Sequence, residues 1–509
     1  MKLFSSKPTT NEDLLDTTLY TMPNSKDTIS WADALEGTLV LGTTGSGKTS
    51  GSGKHIATAM LQGGFGMLVL CSKKKERASW EKLIKEVAPD RAKDVVVFNK
   101  GCKLTFNFLE YDMFREGQGA GDVLNAIESI MSLNEVNRAY LSGGGGSNED
   151  RFWDLSLRRL CARSISTLRL AGEEISIINM RKLVSSSFKG EEADHYMKLE
   201  RQADNEKIDQ AKQQQAAEEL DKMIESSYFL QVLFNISASS EEENEEVELL
   251  MNYWFKEFPK IGERANSIIT ESYMGIVEAF LNQGVLKSHF SSGLSPELLP
   301  ENIYLQNKIV ILDFPVKEIG VPALYAAMIY KTTFQAAMER RDVDTEKNPK
   351  PVGLFIDEVQ QFISYRHDIQ FQATARSSWV ACTYLTQNLD GVVNVMGGQH
   401  ALSKAKSFLG NLNLKIFGAN GDFNTNQWAS QMIGMHLVNH ENVTINEEMK
   451  VSKSKNQHKE YKVMPSYYTT LKTGRKRNSY QVETVVFKPG RTWGKEKQNY
   501  ALVSFDQRG

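Results

Sequence analysis

The stretch LVLGTTGSGKTSGSGK, from Leu39 to Lys54, contains the tetrapeptide GSGK twice, six residues apart. A phosphate-binding P-loop has the pattern G-x-x-x-x-G-K-[ST]: the glycines let backbone N–H groups converge on phosphates, the lysine neutralises them and the hydroxyl binds Mg²⁺. The second copy fails, because Lys48 stands where the first glycine is needed and His55 follows Lys54. The first copy fits throughout. It therefore predicts these nucleotide-binding residues: Gly42, Thr43, Thr44, Gly45, Ser46, Gly47, Lys48, Thr49 and Ser50, with Thr49 also a Mg²⁺ ligand.

The flanks of this loop agree with the motif. GTLVLG (37–42) predicts a strand that runs into the loop, and HIATAMLQ (55–62) predicts a helix that leaves it. The alternative is a decayed loop that is retained as scaffold. Gly51 and Gly53 of the second copy fall in the first helical turns, where each glycine costs about 1 kcal/mol relative to alanine. Either something packs closely against these two glycines, or the turn is loose.

A P-loop also needs an acidic strand end, and PVGLFIDEVQQF (351–362) supplies one. Asp357 is predicted to hold Mg²⁺ through water, and Glu358 to polarise the water that attacks the phosphoanhydride. The alternative is an ordinary strand end followed by a solvated acidic turn.

Four further runs are apolar and strand-like: 65–72, 94–99, 307–314 and 379–388. Near-continuous apolar strands separated by helical stretches indicate a mostly parallel sheet covered on both faces, which is an α/β fold of the RecA-like P-loop NTPase type. Ligands bind beyond the carboxyl ends of such strands. Gln387, at the end of the last run, is therefore a predicted γ-phosphate sensor, or alternatively a surface amide that closes a strand.

The chain is predicted to carry an all-α insertion. GGGGS (143–147) predicts a flexible connection, and the residues from 151 to about 290 lack convincing strands. The predicted domains are an N-terminal extension (1–36), the first part of the nucleotide-binding domain (37–142), the helical insertion (143–298), and the second part with a basic C-terminal segment (299–509). Residues 191–250 carry a net charge of −12. This acidity is either a solvated helix face or a recognition surface that selects basic proteins or keeps DNA away.

The overall charge of −3 hides a basic tail, since residues 449–509 carry +10. The segments SKSKNQHKEYK (452–462) and TGRKRNSY (473–480) lie close in sequence to Tyr461, Tyr467 and Tyr468. Lysine and arginine neutralise phosphates and aromatic rings stack on bases, so this combination suits a sequence-unspecific DNA path. A solvated basic surface is the alternative.

Two observations bear on the compartment. The four cysteines are scattered without CxxC spacing, which argues against a zinc site or a disulfide framework and favours a reducing cytosol. There is no apolar run of membrane-spanning length, and the first residues are polar. We expect a cytoplasmic protein without direct membrane insertion that reaches a membrane only through a partner.

In ordered sequence the chain resembles the FtsK/HerA group of DNA-pumping ATPases, and within it the TraG/TraD-like coupling proteins of conjugation and type IV secretion. The resemblance covers most of residues 37–509. After the P-loop, the segments that carry it are LVLCSKKKERASWEKL, VVVFNKGCKLTFNFL, DRFWDLSLRRLCARSISTL, FQATARSSWVACTYLTQNLDGV and FLGNLNLKIFGANGDFNTNQWASQMIG.

The resemblance implies a function and roles for particular residues. Lys48 and Thr49 match the phosphate and magnesium positions, and Gln387 matches the sensor of the strand end. Asp357 and Glu358 match the acidic pair. Arg376 stands where the family places an arginine that reaches a neighbouring subunit's nucleotide; the alternative is a helix-surface arginine. The implied protein is a Mg²⁺–ATP-dependent motor, hexameric when active, that moves DNA or a DNA–protein complex and works with a relaxase or secretion channel.

The chain departs from the family pattern in three places. It shows no transmembrane helices at its start, Cys71 replaces the usual aspartate after the second strand, and Phe108 replaces proline in the Asn-Pro-Leu element. These departures suggest a divergent soluble member. Two other functions stay open: a HerA-like translocase that works with a nuclease in repair or anti-phage defence, and a nucleotide-switched scaffold with little turnover.

Overall fold

The computed structural model describes residues 11–508 except 118, 143–147, 206, 208, 283, 365–366 and 446–450. The predicted GGGGS connection lies outside these residues. The chain forms two compact units. Unit 1 comprises Met1–Asn99, Leu299–Glu318 and Phe334–Gly509, and unit 2 comprises Lys100–Leu298 and Ile319–Thr333.

The described residues form thirteen strands, all of them in unit 1. In chain order they are β1 Thr18–Thr21, β2 Thr28–Ser30, β3 Thr38–Leu41, β4 Gly66–Cys71, β5 Val95–Asn99, β6 Ile309–Asp313, β7 Val352–Ile356, β8 Val380–Thr386, β9 Leu414–Phe417, β10 Met435–Ile445, β11 Val451–Tyr461, β12 Gln481–Phe487 and β13 Tyr500–Asp506.

Nine of these strands form one sheet in the order β13-β12-β9-β3-β8-β7-β4-β6-β5. The pairs from β9 to β5 are parallel, whereas β12 runs antiparallel to both β9 and β13. β3, β4, β7 and β8 are buried along their whole length, as expected for strands covered on both faces. The predicted mostly parallel α/β sheet is confirmed, with an antiparallel strand added near one edge.

The α-helices fall into three groups along the chain. Before the insertion they are α1 Asn11–Leu15, α2 Trp31–Leu35, α3 Lys54–Gln62 and α4 Glu76–Val87. In unit 2 they are α5 Phe108–Phe114, α6 Val123–Ser142, α7 Asn148–Leu170, α8 Ile177–Ser185, α9 Glu192–Ala203, α10 Gln210–Ser226, α11 Tyr228–Phe234, α12 Glu241–Asn252, α13 Glu263–Val277 and α14 Val285–His289. After Leu298 they are α15 Asn302–Leu305, α16 Val316–Ile319, α17 Val321–Glu339, α18 His367–Thr374, α19 Leu389–Met396, α20 Ala401–Gly410 and α21 Phe423–Ile433. The residues of α17 up to Thr333 belong to unit 2.

The predicted N-terminal extension is not separate from unit 1. Ile29, Trp31 and Leu35 are buried in the same apolar cluster as α3, α4 and the sheet. Ser30 caps α2 and forms a capping box with Asp33, which fixes where this helix begins. Residues 18–35 are therefore part of unit 1.

Unit 2 begins at Lys100, not at residue 143 as expected, and it also takes in Ile319–Thr333. The boundary lies earlier because Phe106 packs against Phe290 and Tyr330, all within unit 2. The described residues of this unit contain no strand longer than a single bridge, between Phe106 and Leu294. The acidic α12 buries only Leu250, as expected for a solvated helix face.

No helix of the part of the chain that the structure describes has the length and apolarity needed to cross a bilayer.

Candidate nucleotide-binding site

The first GSGK copy forms a glycine-dependent turn between β3 and the following helix. Gly45 and Gly47 have φ angles of +80° and +87°, a backbone conformation that glycine adopts at little cost. Lys48 is buried, with 7% of its side chain exposed. The helix then starts with one π-helical turn, Thr49–Gly53, and continues as α3.

The acidic pair lies beside this loop because β7 is separated from β3 only by β8. Parallel strands bring their carboxyl ends to one edge of the sheet. There Thr49 Oγ1 donates a hydrogen bond of 2.9 Å to Asp357 Oδ2, and Lys48 Nζ lies 3.6 Å from Glu358 Oε1. The structure thus joins two sequence motifs that are 308 residues apart.

The oxygen atoms at this edge fit a magnesium–nucleotide complex. Mg²⁺ is commonly bound by one or two carboxylates together with phosphate oxygens and water, and Thr49 and Asp357 offer a hydroxyl and a carboxylate side by side. Ser46 Oγ is also buried in the loop and lacks a hydrogen-bond partner among the described residues. Mg²⁺ would be held by Thr49 and Asp357.

The Glu358 carboxylate interacts with several charged and polar side chains of the site. Burial by itself would raise the pKa of this carboxyl, but the charges of Lys48 and Lys73 and a hydrogen bond from Gln360 hold it below its usual value. Gln387 Nε2 donates to both carboxylate oxygens, at 3.2 and 3.0 Å. Glu358 therefore stays ionised at neutral pH and is fixed in orientation by two amides.

Lys73 is a residue of this site that the motifs did not identify. Its Nζ lies 3.2 Å from Asp357 Oδ2 and 3.1 Å from Glu358 Oε1. The neighbouring Lys74 instead pairs with Glu318 at the surface. The available signal was position: Lys73 follows β4, and β4 is the sheet neighbour of β7. That order cannot be read from the chain alone.

A cavity of about 670 Å³ opens beside the P-loop and the acidic pair. Trp80, Leu83 and Phe355 line its apolar side, whereas Lys48, Thr49 and Glu358 belong to its polar side. A volume of this size is typical of small-molecule pockets. The site can therefore accommodate a ligand of nucleotide size.

The two glycines of the second GSGK copy are explained by close packing. A Cβ atom on Gly53 would lie 2.9 Å from the carbonyl oxygen of Lys48, and one on Gly51 would lie 3.1 Å from Val482. Close packing, one of the two explanations that the sequence allowed, is confirmed. The group that packs against Gly51 is the chain's own β12.

The other predicted residues lie in different places. Ser50 Oγ accepts a hydrogen bond of 2.5 Å from Gln507. Arg376 follows α18 instead of lying within it; its side chain is 66% exposed and lies 3.9 Å from Glu36. Arg376 precedes β8 and Glu36 precedes β3, so this arginine is at the amino edge of the sheet, away from its own P-loop.

The two basic tail segments are also separated. The first lies on β11 of the two-stranded β10–β11 ribbon, where Lys455 and Lys459 are exposed. The second, 473–480, lies against the P-loop, since the carbonyl oxygen of Thr473 would be 3.4 Å from a Cβ on Gly47.

Comparison with known proteins agrees with this geometry. Residues 351–467, about a quarter of the chain, match the family described as the TraM recognition site of TraD and TraG. The search of curated proteins by sequence gave no significant match.

Among solved structures, the bacterial conjugative coupling protein TrwB in its unbound form is 13% identical, with a TM-score of 0.55 over 96% of this chain and 89% of that one. TrwB in complex with ADP and Mg²⁺ is 12% identical, with the same TM-score over 98% and 92%. The fold and the site define a RecA-like P-loop NTPase. Within that class the fold is similar to that of TrwB, and the segment that contains the acidic pair matches the TraD and TraG family model.

Proposed function

We propose that this protein is an ATP-driven coupling motor that hydrolyses ATP to move DNA or a DNA–protein complex in conjugation or type IV secretion. The observation that carries the proposal is the contact of Lys48 and Thr49 with Glu358 and Asp357 at the carboxyl edge of the sheet. The similarity to TrwB, a plasmid coupling protein, supports the choice of motor.

The proposal gives each side chain of the site a role. Lys48 and the loop N–H groups bind the phosphates, and Thr49 and Asp357 hold Mg²⁺, which when bound offsets the charge that develops on the phosphates. Glu358 is ionised, so it accepts a hydrogen bond from the attacking water. Gln387, which is hydrogen-bonded to Glu358, contacts the γ-phosphate. It thereby links the presence of that phosphate to the position of the Glu358 carboxylate.

In this proposal, Arg376 acts on the nucleotide bound by a neighbouring subunit. At the amino edge of the sheet it cannot reach its own nucleotide, and its exposed guanidinium has only a long contact to Glu36. An arginine supplied in trans is worth about 10³–10⁵ in rate. Hydrolysis would then require assembly into a homo-hexamer.

Mixing two inactive variants tests this role. Arg376→Ala leaves the site of its own subunit intact, and Glu358→Gln leaves the arginine intact. Alone, Arg376→Ala should hydrolyse ATP about 10³–10⁵-fold more slowly than wild type and Glu358→Gln about 10²–10⁴-fold more slowly. The mixture should regain activity. If the mixture is no more active than its parts, Arg376 does not act in trans.

The partners follow from the matched family and the basic tail. The family is described as a recognition site for TraM, which supports a partner of the DNA-processing kind for residues 351–467. The exposed lysines of β11 support sequence-unspecific contact with DNA.

ATP hydrolysis and particle size, measured with and without single- and double-stranded DNA, test the proposal as a whole. We expect DNA to raise the rate and the particle size together, and high salt to abolish both effects. A monomer whose hydrolysis is indifferent to both forms of DNA would contradict the motor.

A further inference from the structure

The P-loop has two rims that differ in what faces them. One rim faces Asp357 and Glu358, where the γ-phosphate reacts. The other faces the C-terminal segment, because β12 runs antiparallel to the rest of the sheet. Its start at Gln481 and the end of β13 at Asp506 are paired, and both lie at the carboxyl edge next to the loop.

Gln507 ties this second rim together. Its Nε2 donates to Ser50 Oγ at 2.5 Å, and its Oε1 accepts from the backbone N–H of Arg475 at 2.6 Å. Its carbonyl oxygen accepts from Lys54 Nζ at 3.4 Å. One side chain therefore connects the first turn after the P-loop to the turn at residues 473–477.

This connection places a guanidinium over the phosphate loop. A nitrogen of Arg475 lies 3.6 Å from the position that a Cβ of Gly45 would occupy. The residue has a φ angle of +61°, which is strained for a side chain of this size. Such strain is often found where a residue is held for function.

The Arg475 side chain has no ion pair or hydrogen bond with any described residue. Two carboxylates of the adjoining strands are already paired, Glu483 with Lys472 at 2.6 Å and Asp506 with Arg508 at 2.9 Å. Arg477 of the same turn donates to Thr473 Oγ1. Arg475 is thus a free cation directed at a loop built to hold anions.

We propose that the turn 473–477, held by Gln507, forms the α-phosphate side of the nucleotide site, and that Arg475 binds the nucleotide's phosphates within its own subunit. The inference rests on the proposed nucleotide-dependent function and adds a contact from the C-terminal segment. Lys48 serves the β- and γ-phosphates, and Arg475 serves the opposite end of the same chain of phosphates.

Equilibrium titration of the full chain with ADP and with ATP, at fixed Mg²⁺, tests this contact. A charge-assisted hydrogen bond to phosphate is among the stronger hydrogen bonds. Arg475→Ala should therefore weaken the binding of ADP and of ATP about tenfold or more. The nucleotide affinity of Arg475→Lys should lie between those of this variant and wild type, because lysine keeps the positive charge but lacks the paired N–H donors of the guanidinium. Lys495→Ala, which removes an exposed cation from the β12–β13 connection outside this turn, is the control and should bind as wild type.

Thermal unfolding without nucleotide separates binding from stability. Arg475→Ala should unfold at the wild-type temperature, because the side chain has no partner to lose. Equal nucleotide affinities for Arg475→Ala and Lys495→Ala would overturn the inference while leaving the proposed function standing. If wild type and Lys48→Ala both fail to bind nucleotide, the proposed function falls, and this inference falls with it.

Discussion

The two GSGK copies have the same letters and opposite environments. Lys48 of the first is buried and lies 3.6 Å from the Glu358 carboxylate. Lys54 of the second is partly exposed, and among the described residues it reaches only a backbone carbonyl, that of Gln507. The difference comes from what surrounds each copy. The first follows β3, whose neighbour β8 is followed by Gln387 and whose next strand along the sheet, β7, is followed by the acidic pair, whereas the second lies in a helix.

The glycines of the two copies also serve different purposes. In the first copy, Gly45 and Gly47 permit a left-handed backbone. In the second, Gly51 and Gly53 lie in the π-helical turn and leave room for Val482 and for the carbonyl oxygen of Lys48. A repeated tetrapeptide thus gives one phosphate cradle and one packing surface.

The largest expected effect comes from removing the Glu358 carboxylate, the charge that lies beside Lys48 and not beside Lys54. Glu358→Gln should slow hydrolysis by about 10²–10⁴-fold, because the general base is lost, while nucleotide binding persists. Glu86→Gln, which changes an exposed carboxylate lining the same cavity, is the control and should keep the wild-type rate. Steady-state hydrolysis and nucleotide titration measure the two effects; equal rates for the two variants would contradict the role of Glu358.

A smaller effect is expected from the second copy's glycines. Gly53→Ala puts a methyl group 2.9 Å from a backbone oxygen, which cannot easily move, so we expect a loss of about 1–3 kcal/mol in the free energy of unfolding. Gly410→Ala, at an α20 position with open space around it, should be neutral or slightly stabilising. Denaturant unfolding measures both, and a Gly53→Ala protein as stable as wild type would refute the packing explanation.

The smallest effect concerns Lys73, the second cation beside Glu358. Because the pKa of Glu358 is lowered in the folded protein, its stabilising contribution is present at neutral pH and is lost as the pH falls through that lowered pKa. Lys73→Ala should reduce stability at pH 7 by less than about 1 kcal/mol, since this lysine is half exposed. In Lys73→Ala, the free energy of unfolding should also depend less on pH than it does in Lys74→Ala. Unfolding curves between pH 3 and 7 test this, and identical profiles for the two variants would refute it.

Much of the sheet could be predicted from the sequence because its parallel strands are buried on both faces. Such strands appear as apolar runs, and the predicted run at 65–72, for example, contains β4. β10 and β11 were missed because both strands are exposed and carry many polar residues, and the lysines of β11 suggested a nucleic-acid path or a solvated basic surface. β12 is the more instructive case: its apolar run is short, and nothing in the sequence shows that it pairs antiparallel with β9.

The site was predictable where a residue type and its spacing encode the chemistry. The P-loop and the Asp357–Glu358 pair meet as the motifs require. Lys73 and Gln507 could not be found in this way, because their positions depend on strand order and on the direction of β12. Arg376 was named from family resemblance, and its place at the amino edge leaves its role in trans a prediction.

ATP hydrolysis by Lys48→Ala and Lys54→Ala, compared with wild type in the presence of DNA, tests the central claim most directly. The account predicts that Lys48→Ala lowers the rate at least about a hundredfold, because a preorganised charge on the phosphates is lost. Lys54→Ala should stay within about fivefold of wild type, since only a weak, partly exposed contact is removed. A chain that loses hydrolysis with Lys54→Ala and retains it with Lys48→Ala would contradict the assignment.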